Sequence, residues 1–440
     1  MTDRTPTLAG RLLGAAGVEA VYGRPLDRLP VVPVDDGELA ALLACAHRRV
    51  TGAPAVAHLG DGLLVAPPVR AGAAPRAAGD DPPVVGDDPD AAVGALARLV
   101  AGEVAAVRLA VDPGAPGAGV AVPRPAPPDR WPEVPDAVVE RLRAAAAPVV
   151  LAGPGVVDEG AVAGLHALAA AGSLGVLNTW GAKGVFHWRS RHHLATVGLQ
   201  AEDFARGGLA DADLVVATGL DPAEAPGERW RGLAPVVEVP PAALDPLAER
   251  WGRAPAPIAL PPLREGLAAV TQEGWAATAA PIPPSLATLH HARVLAGGGL
   301  LAADAGVAGY WVARTFGTTE LGAVQVPSLR TPGLAAACAL VARLARPARP
   351  VLAVIDGPVD GATRAVVELG VSLGVAVPLE VWSPDGPALG PEEHERRLAE
   401  AVAAPVPVEV GLAVDGRQLA RMVEVAGPVV AWGGVPGGGG

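Results

Sequence analysis

Apolar positions along the chain follow helical spacing in some segments and form short continuous runs in others. Residues 7–22 predict an amphipathic helix that leads into a short strand, and residues 37–50 predict a second helix with a basic end. Residues 67–89 are rich in Pro, Gly, Ala and Asp, which indicates a loop or a poorly ordered segment. A helix and a strand are predicted over residues 90–111, and the prolines of residues 112–137 indicate an interdomain linker.

A regular alternation of short apolar runs and Ala-rich helical segments begins at Val138. The runs PVVLA, GVLNTW and DLVVATG predict strands, and proline-rich stretches at residues 254–263 and 280–284 mark the next boundary. Beyond it, GLLAADAG, PVLAVIDG and VPLEVW predict the strands of a further layer. This βαβ rhythm is typical of doubly wound sheets with right-handed crossovers. We predict an α/β protein with three doubly wound, Rossmann-like parallel-sheet domains, over residues 1–125, 126–280 and 281–440.

Composition limits the classes of partner and compartment. Half of the residues are apolar but only 3% are aromatic, so the cores must consist of Ala, Val and Leu. The net charge is −12 and no block of Lys and Arg occurs, which excludes nucleic acid as an expected partner. We expect neither a secretory signal nor a membrane span, and we predict a cytoplasmic protein. Cys45 and Cys338 form no CxxC pair and are predicted to be core residues.

Three groups of segments resemble, in order, the domains of one family. Within residues 138–250, the runs PVVLAGPGV, LGVLNTWGAKGVFHWRSRHHLATVGLQ and ADADLVVATGLDPAE resemble the central domain of acetolactate-synthase-like, thiamine-diphosphate-dependent enzymes. The runs LLAADAGVAGYWVARTF and RTPGLAAACALVARLARPARPVLAVIDG resemble the diphosphate-binding domain, and LAGRLLGAAGVEAVYGRP resembles the start of the pyrimidine-binding domain. The chain therefore resembles the acetolactate synthase large subunit, with a shortened pyrimidine-binding domain.

The resemblance implies an activity, cofactors and an assembly. The family decarboxylates a 2-oxo acid and ligates the resulting enamine, with thiamine diphosphate and Mg²⁺ as cofactors. Its active site lies between two subunits. We therefore expect a homo-oligomer (a dimer or tetramer) or a hetero-oligomer with a homologue, and neither a nucleic-acid nor a membrane partner.

Glu38 is the candidate for the catalytic glutamate that activates the cofactor. In the family this glutamate begins a helix that ends in an Arg-x-x-Gly turn, and counting back from Gly52 gives Gly37. Glu38 is one position away, which is a rotation of about 100° on a helix. It either substitutes for that glutamate or is an exposed first-turn residue favoured by the helix dipole.

Asp356 and Gly357 are the candidate cofactor-binding residues, and Asp356 is the candidate metal ligand. The family holds its cation with a Gly-Asp-Gly turn and with an Asn about 25 residues further on, since Mg²⁺ prefers oxygen ligands. Here Ile355 replaces the first glycine, and residues 381–383 contain no Asn. Asp356 is either a cation ligand, helped by a rearranged loop with Asp360, Ser383 or Asp385, or a turn residue.

Other residues suggest chemistry less specifically. The loop after Lys183 either contacts a dinucleotide, as in some relatives, or is a solvated loop with a packed Trp. Its His and Trp residues are Trp180, His187, Trp188, His192 and His193. The LAGPGV turn lacks GxGxxG and predicts a tight βα turn. His290 and His291 have no Cys or carboxylate at ligand spacing.

Two functions follow from the resemblance. The first is a thiamine-diphosphate-dependent carboligase or decarboxylase. The second is a catalytically inactive family member, a pseudoenzyme that serves as a structural or regulatory subunit. The second is suggested by the joint loss of the glutamate, the Asn and much of one cofactor wall near residues 67–89.

Overall fold

The computed structural model of the chain describes residues 8–15, 17–23, 31–58, 63–65, 84–85, 89–100, 106–109, 134–254 and 256–434. Most of residues 67–89 and 112–137 lie outside these ranges, so the predictions of a loop and a linker there stay predictions. The helices are α1 (Leu8–Ala15), α2 (Gly37–Thr51), α3 (Pro89–Val100), α4 (Asp136–Ala144), α5 (Gly155–Asp158), α6 (Val162–Gly172), α7 (Leu244–Arg250), α8 (Pro262–Trp275), α9 (Pro284–Val294), α10 (Val307–Thr315), α11 (Leu334–Ala345), α12 (Gly361–Ser372), α13 (Pro391–Ala403) and α14 (Arg417–Ala426).

The strands fall into three groups along the chain. They are β1 (Ala20–Gly23), β2 (Val31–Pro33), β3 (Ala55–His58), β4 (Leu63–Val65), β5 (Val84–Val85), β6 (Ala106–Leu109), β7 (Pro148–Ala152), β8 (Gly175–Thr179), β9 (His193–Val197), β10 (Leu214–Thr218), β11 (Val236–Glu238), β12 (Leu300–Ala303), β13 (Val324–Gln325), β14 (Val351–Asp356), β15 (Leu379–Trp382) and β16 (Glu409–Leu412). The three sheets have the orders β2-β1-β3-β4-β6-β5, β11-β10-β7-β8-β9 and β13-β12-β14-β15-β16.

The second and third sheets are parallel throughout. Helices alternate with the strands of the third sheet along the chain, and the predicted α/β class with three Rossmann-like layers is confirmed. The first sheet has a parallel part, β2-β1-β3, and a strand β4 that is antiparallel to both of its neighbours. Only residues 59–62 separate β3 from β4, which is too short for the crossover that a parallel pair needs.

Each sheet lies within one of the predicted domains, because their strands span residues 20–109, 148–238 and 300–412. The boundaries at residues 125 and 280 stay predictions. None of the described helices is long and apolar enough to cross a bilayer.

Helix α2 of the first layer packs against helix α11 of the third. Small buried side chains such as Ala40, Ala44, Ala335 and Ala339 allow the helices to approach closely, and they share one apolar core. Cys45 and Cys338 lie on these two helices as free thiols, Cys338 buried and Cys45 half-buried, which agrees with the predicted core role.

Buried polar contacts join the second layer to the third. Nη2 of Arg314, in α10, donates to both carboxylate oxygens of Asp203 at 2.9 and 2.8 Å. The hydroxyl of Tyr310, one turn earlier, donates to Oε1 of Gln200 at 2.9 Å. The two side chains of the ion pair are fully buried. Since breaking such a pair leaves an uncompensated charge, these contacts hold the two layers in one arrangement.

Candidate functional site

The third sheet changes its winding direction between β12 and β14. Asp304 follows β12, and Asp356 is the last residue of β14. In doubly wound sheets the crevice at the carboxyl ends of the strands, where the order reverses, is where ligands bind. Asp356 therefore lies at the position in this layer that the fold favours for a ligand.

Both carboxylate oxygens of Asp356 accept hydrogen bonds from the backbone. Oδ2 accepts from the Val307 N–H at 2.7 Å, and Oδ1 accepts from the Ala308 N–H at 2.9 Å. These are the first residues of α10, whose N–H groups have no partner within the helix, so Asp356 caps α10. Gly306 makes room for the cap, since a Cβ there would lie 2.0 Å from Oδ2. Burial raises the pKa of the Asp356 carboxyl above its ordinary value.

Asp304 and Asp360 have similar roles nearby. Oδ1 of Asp304 accepts from the Ala335 N–H at 2.9 Å, in the first turn of α11. Oδ1 of Asp360 accepts from the Thr363 N–H at 2.8 Å and caps α12. Burial raises the pKa of Asp304 to about 7, and repulsion from Asp360 and Asp356 adds to the shift. Three helix N-termini at this edge of the sheet are thus each satisfied by a carboxylate of the chain itself.

Glu38 lies in the first turn of α2, and its side chain is exposed. Asp36 is the cap of this helix, because its Oδ1 accepts from the backbone N–H groups of Glu38 at 2.8 Å and Leu39 at 3.2 Å. In the part of the chain that is described, no hydrogen bond or ion pair joins the Glu38 carboxylate to the third sheet. The structure therefore does not bring Glu38 and Asp356 into contact.

The glycine-rich turn of the second sheet is closed by backbone contacts. Gly153 N–H donates to Thr218 O at 2.9 Å, and Gly155 N–H donates to Gly219 O at 2.8 Å. A Cβ on Gly153 would lie 2.4 Å from Gly219 O, so only glycine permits this approach between the ends of β7 and β10. These N–H groups are used within the fold, which agrees with the prediction of a tight βα turn.

The second sheet and its flanking helices carry the match to known proteins. Residues 135–241 match the family model of the thiamine pyrophosphate enzyme, central domain. The match supports kinship with the thiamine pyrophosphate enzyme superfamily, which uses thiamine diphosphate, typically with Mg²⁺. It contains all of β7 to β11 and reaches neither outer sheet. No curated protein matches the chain.

The residues at the third sheet do not fit the magnesium diphosphate that the superfamily uses. Helix N-termini bind phosphate through free N–H groups, but Asp356 and Asp304 already accept hydrogen bonds from those of α10 and α11. Arg330 lies near Asp356, yet its guanidinium donates to the carbonyls of Ala305, Trp432 and Gly434. A diphosphate in this crevice would therefore meet carboxylates where it needs hydrogen-bond donors.

Gly357 borders an open cavity of about 790 Å³ at the same edge of the sheet. Its N–H donates to Trp382 O at 2.8 Å, and Oγ of Ser383 accepts from the Asp385 N–H at 3.3 Å. The lining includes one arginine and three carboxylates, Arg364, Glu368, Asp385 and Glu409. The cavity thus favours a cation over a phosphate, and residues 381–383, where the resemblance predicts an Asn, contain no amide side chain.

A buried imidazole and carboxylate cluster lies below this edge, and the sequence did not reveal it. Oε2 of Glu380 is hydrogen-bonded to Nε2 of His291, and its Oε1 to Nε2 of His394 at 2.6 Å. Nδ1 of His290 lies 2.8 Å from Nδ1 of His394. Burial raises the pKa of Glu380, but the two imidazoles outweigh it and hold that pKa below the ordinary value. Among the described residues, His291, Glu380 and His394 form the group whose geometry could hold a metal ion.

The His and Trp residues of the loop after Lys183 do not form one site. His187 is exposed, and its Nδ1 accepts from the Arg189 N–H at 3.0 Å. His192 is bonded to Leu174 O at 2.8 Å, and Trp180 packs on Trp432 with ring centroids 5.3 Å apart. Only His187, Arg189 and Arg191 are exposed in residues 180–193, so the segment is mostly packed, and the dinucleotide contact stays a prediction. His193 differs, because it borders a cavity together with Lys183.

Proposed function

We propose that the chain is a thiamine-diphosphate-enzyme family protein that does not activate the cofactor by itself and serves as a structural or regulatory subunit. One observation carries the proposal: both oxygens of Asp356 cap α10, so the candidate metal ligand is committed to the backbone. A carboxylate that satisfies two helical N–H groups stabilises the fold without any ligand.

Two further observations support this function. Glu38 is exposed in the first turn of α2, where a carboxylate is favoured by the helix dipole alone. Asn178 is the only asparagine of the chain, and its amide donates to Thr179 O and to Oγ1 of Thr196 within the second sheet. The amide oxygen that the superfamily places beside its cation therefore has no counterpart in the third sheet.

The proposal includes a partner chain. A subunit of this kind acts by assembling with a second copy or with a complete homologue, as expected for a superfamily whose active sites form between subunits. Sedimentation of the purified chain, alone and with a complete homologue, tests this part. A stable monomer in both samples contradicts it.

Titration with thiamine diphosphate and Mg²⁺ tests the catalytic part directly. A ligand that binds only the folded state raises the melting temperature by mass action. We expect neither heat nor a melting shift at millimolar cofactor. Saturable binding that is lost in Asp356→Ala but kept in Asp211→Ala, at an exposed position outside the third sheet, would overturn the proposal, because it would show that Asp356 releases α10 to bind the cation.

An active acetolactate-synthase-like carboligase is the second candidate. It is favoured by the survival of Asp356 and Gly357 at the carboxyl edge of β14, where the fold favours a ligand. Its test is the consumption of pyruvate with thiamine diphosphate and Mg²⁺. Turnover that Asp356→Ala removes and Asp211→Ala retains would establish this candidate and exclude the first.

A further inference from the structure

A cavity of about 300 Å³ lies between the second and third layers, away from Asp356. Its walls come from Lys183, from the strand β9, from one face of α8 and from the carboxyl end of α10. Leu194, Leu267 and Phe316 are buried and form an apolar part of the wall. Ala268 and Gln272, on the solvent side of α8, are exposed and lie at its mouth. A small molecule can therefore reach this cavity from solvent.

Lys183 is the only lysine of the chain, and its side chain lines this cavity. It is 9% exposed. Among the described residues, no carboxylate or carbonyl oxygen accepts a hydrogen bond from its amine. A buried ammonium without a partner is unfavourable by several kcal/mol, and such groups occur where function requires them.

Two arginines and a histidine also line the cavity. Arg264 donates to the carbonyl of His193, and among the described residues its guanidinium has no carboxylate partner. Arg314 is paired with Asp203 through Nη2, but its buried Nε has no acceptor. Nδ1 of His193 is likewise buried without a partner. Polar nitrogens without a described hydrogen-bond partner, from Lys183, His193 and Arg314, thus meet at one cavity, and its lining contains no carboxylate.

This arrangement contrasts with the rest of the protein. The chain has a formal net charge of −12, so its surface repels anions on average. A cavity that concentrates cationic groups in such a protein selects an anion. The apolar wall adds a second requirement, because a fully hydrated ion such as sulfate gains nothing from contact with Leu194, Leu267 and Phe316.

We propose that this cavity binds a small organic monocarboxylate, with its carboxylate at Lys183 and Arg264 and its apolar body against Leu194, Leu267 and Phe316. The proposal is independent of the thiamine diphosphate question, because no residue of the cavity belongs to the crevice around Asp356.

The charge of Lys183 makes the binding depend on pH. Burial, and then repulsion from Arg314, lowers the pKa of Lys183 to about 7. The other charged or titratable groups that face the cavity are Arg264 from α8 and His193 from β9. Burial lowers the pKa of His193 to about 3, so this imidazole stays neutral near neutral pH. A bound anion favours the ammonium form, and affinity should fall by up to about tenfold per pH unit above pH 7.

Calorimetric titration with hexanoate and benzoate at fixed ionic strength tests the site, with hexanol and benzamide as uncharged controls. We expect saturable binding of the acids alone, weakening above pH 7. Lys183→Met should weaken it about tenfold to a hundredfold, the range for losing a hydrogen bond to a charged group. Arg346→Met, which removes one exposed charge elsewhere, should leave the binding unchanged.

A second variant separates loss of the site from loss of the fold. Ala268→Trp fills the mouth and retains Lys183, so it should abolish binding without altering the far-ultraviolet circular dichroism spectrum. Reductive methylation followed by peptide mapping gives another readout, because Lys183 is the only lysine, and hexanoate should protect it. Absence of saturable binding of both acids, equal binding by Lys183→Met, or binding that Ala268→Trp retains would each overturn the proposal.

Discussion

Buried charges occur in two settings in this protein. At the contact between the second and third layers, Nη2 of Arg314 is paired with both carboxylate oxygens of Asp203, and in the third layer Glu380 is bonded to two imidazoles. Lys183 is also buried, and none of the described carboxylates forms an ion pair with it. Removing one partner of a buried ion pair strongly destabilises the fold. A buried charge that has no partner destabilises the fold already in the natural protein. The comparison indicates which charges serve the fold and which are available to a ligand.

Removing the acid of the paired setting should have the largest effect. Asp203→Ala leaves Arg314 buried without a counter-ion and also frees the Gln200 N–H, which donates to Asp203 Oδ2 at 2.9 Å. We expect a loss of about 3–5 kcal/mol in the free energy of unfolding, measured by urea denaturation. The exposed Asp211 provides the control, and Asp211→Ala should change stability by under about 0.5 kcal/mol. Similar losses in both variants would contradict the pairing argument.

Glu380→Gln should destabilise the fold by about 2–3 kcal/mol at pH 7, because two hydrogen bonds to a buried charge are weakened. The folded-state pKa of Glu380 lies below its ordinary value of 4.5, so its contribution is present above that value and is lost as the pH falls towards the folded-state pKa. The stability of the natural protein should therefore decline below about pH 4.5 more steeply than that of the variant. The control Glu392→Gln, at an exposed position, retains Glu380 and should lose stability with falling pH as the natural protein does. Equal declines in the natural protein and in Glu380→Gln would disprove this role.

Replacing the unpaired charge should have the opposite sign. Lys183→Met is expected to stabilise the fold by about 2 kcal/mol at pH 7, since it removes an uncompensated buried cation. The folded-state pKa of Lys183, about 7, lies below its ordinary value of 10.5. The unfolded chain therefore binds the extra proton between these values, and the stability of the natural protein should rise from pH 7 to about 10.5. Thermal melting of the variant should lack this rise, and a destabilised variant would show that Lys183 has a partner.

The smallest effect concerns the cap of α10. Asp356→Asn retains one acceptor and loses the other together with the charge, so we expect a loss of about 1 kcal/mol in thermal melts. Asp360→Asn, which weakens the cap of α12, should cost a similar amount. Equal losses, with no dependence on Mg²⁺, support a purely structural cap. A loss that appears only when Mg²⁺ is present would place a cation on Asp356.

The sequence predicted the layers better than the contacts between their residues. Continuous apolar runs bounded by turns predicted strands of the second and third sheets, because parallel strands that are buried on both faces have this pattern. The reversed strand β4 was not predicted, because the three apolar residues of Leu63–Val65 are too short a run to indicate a strand. The position of Asp356 at the end of β14 was predictable, but its capping of α10 depends on Gly306, some fifty residues earlier.

The side-chain clusters were beyond sequence reasoning for a physical reason. His291, Glu380 and His394 come from α9, β15 and α13, and Lys183, Arg264 and Arg314 come from a loop, α8 and α10. Spacing along the chain carries no signal for such groups, because only the packing of layers brings them together. The one available signal for the cavity was that Lys183 is the only lysine. A biased amino-acid composition explains a single lysine as well as a binding role does.

Arg314 belongs to both settings at once, since its guanidinium holds Asp203 and also borders the cavity beside Lys183. The lining of the cavity and the docking of α10 onto the second layer therefore share one planar group. A molecule that accepts a hydrogen bond from Nε of Arg314 would stabilise the docking of α10. By the same coupling, separation of the two layers would weaken the binding of that molecule. Amide hydrogen exchange in α10 would report this reciprocity.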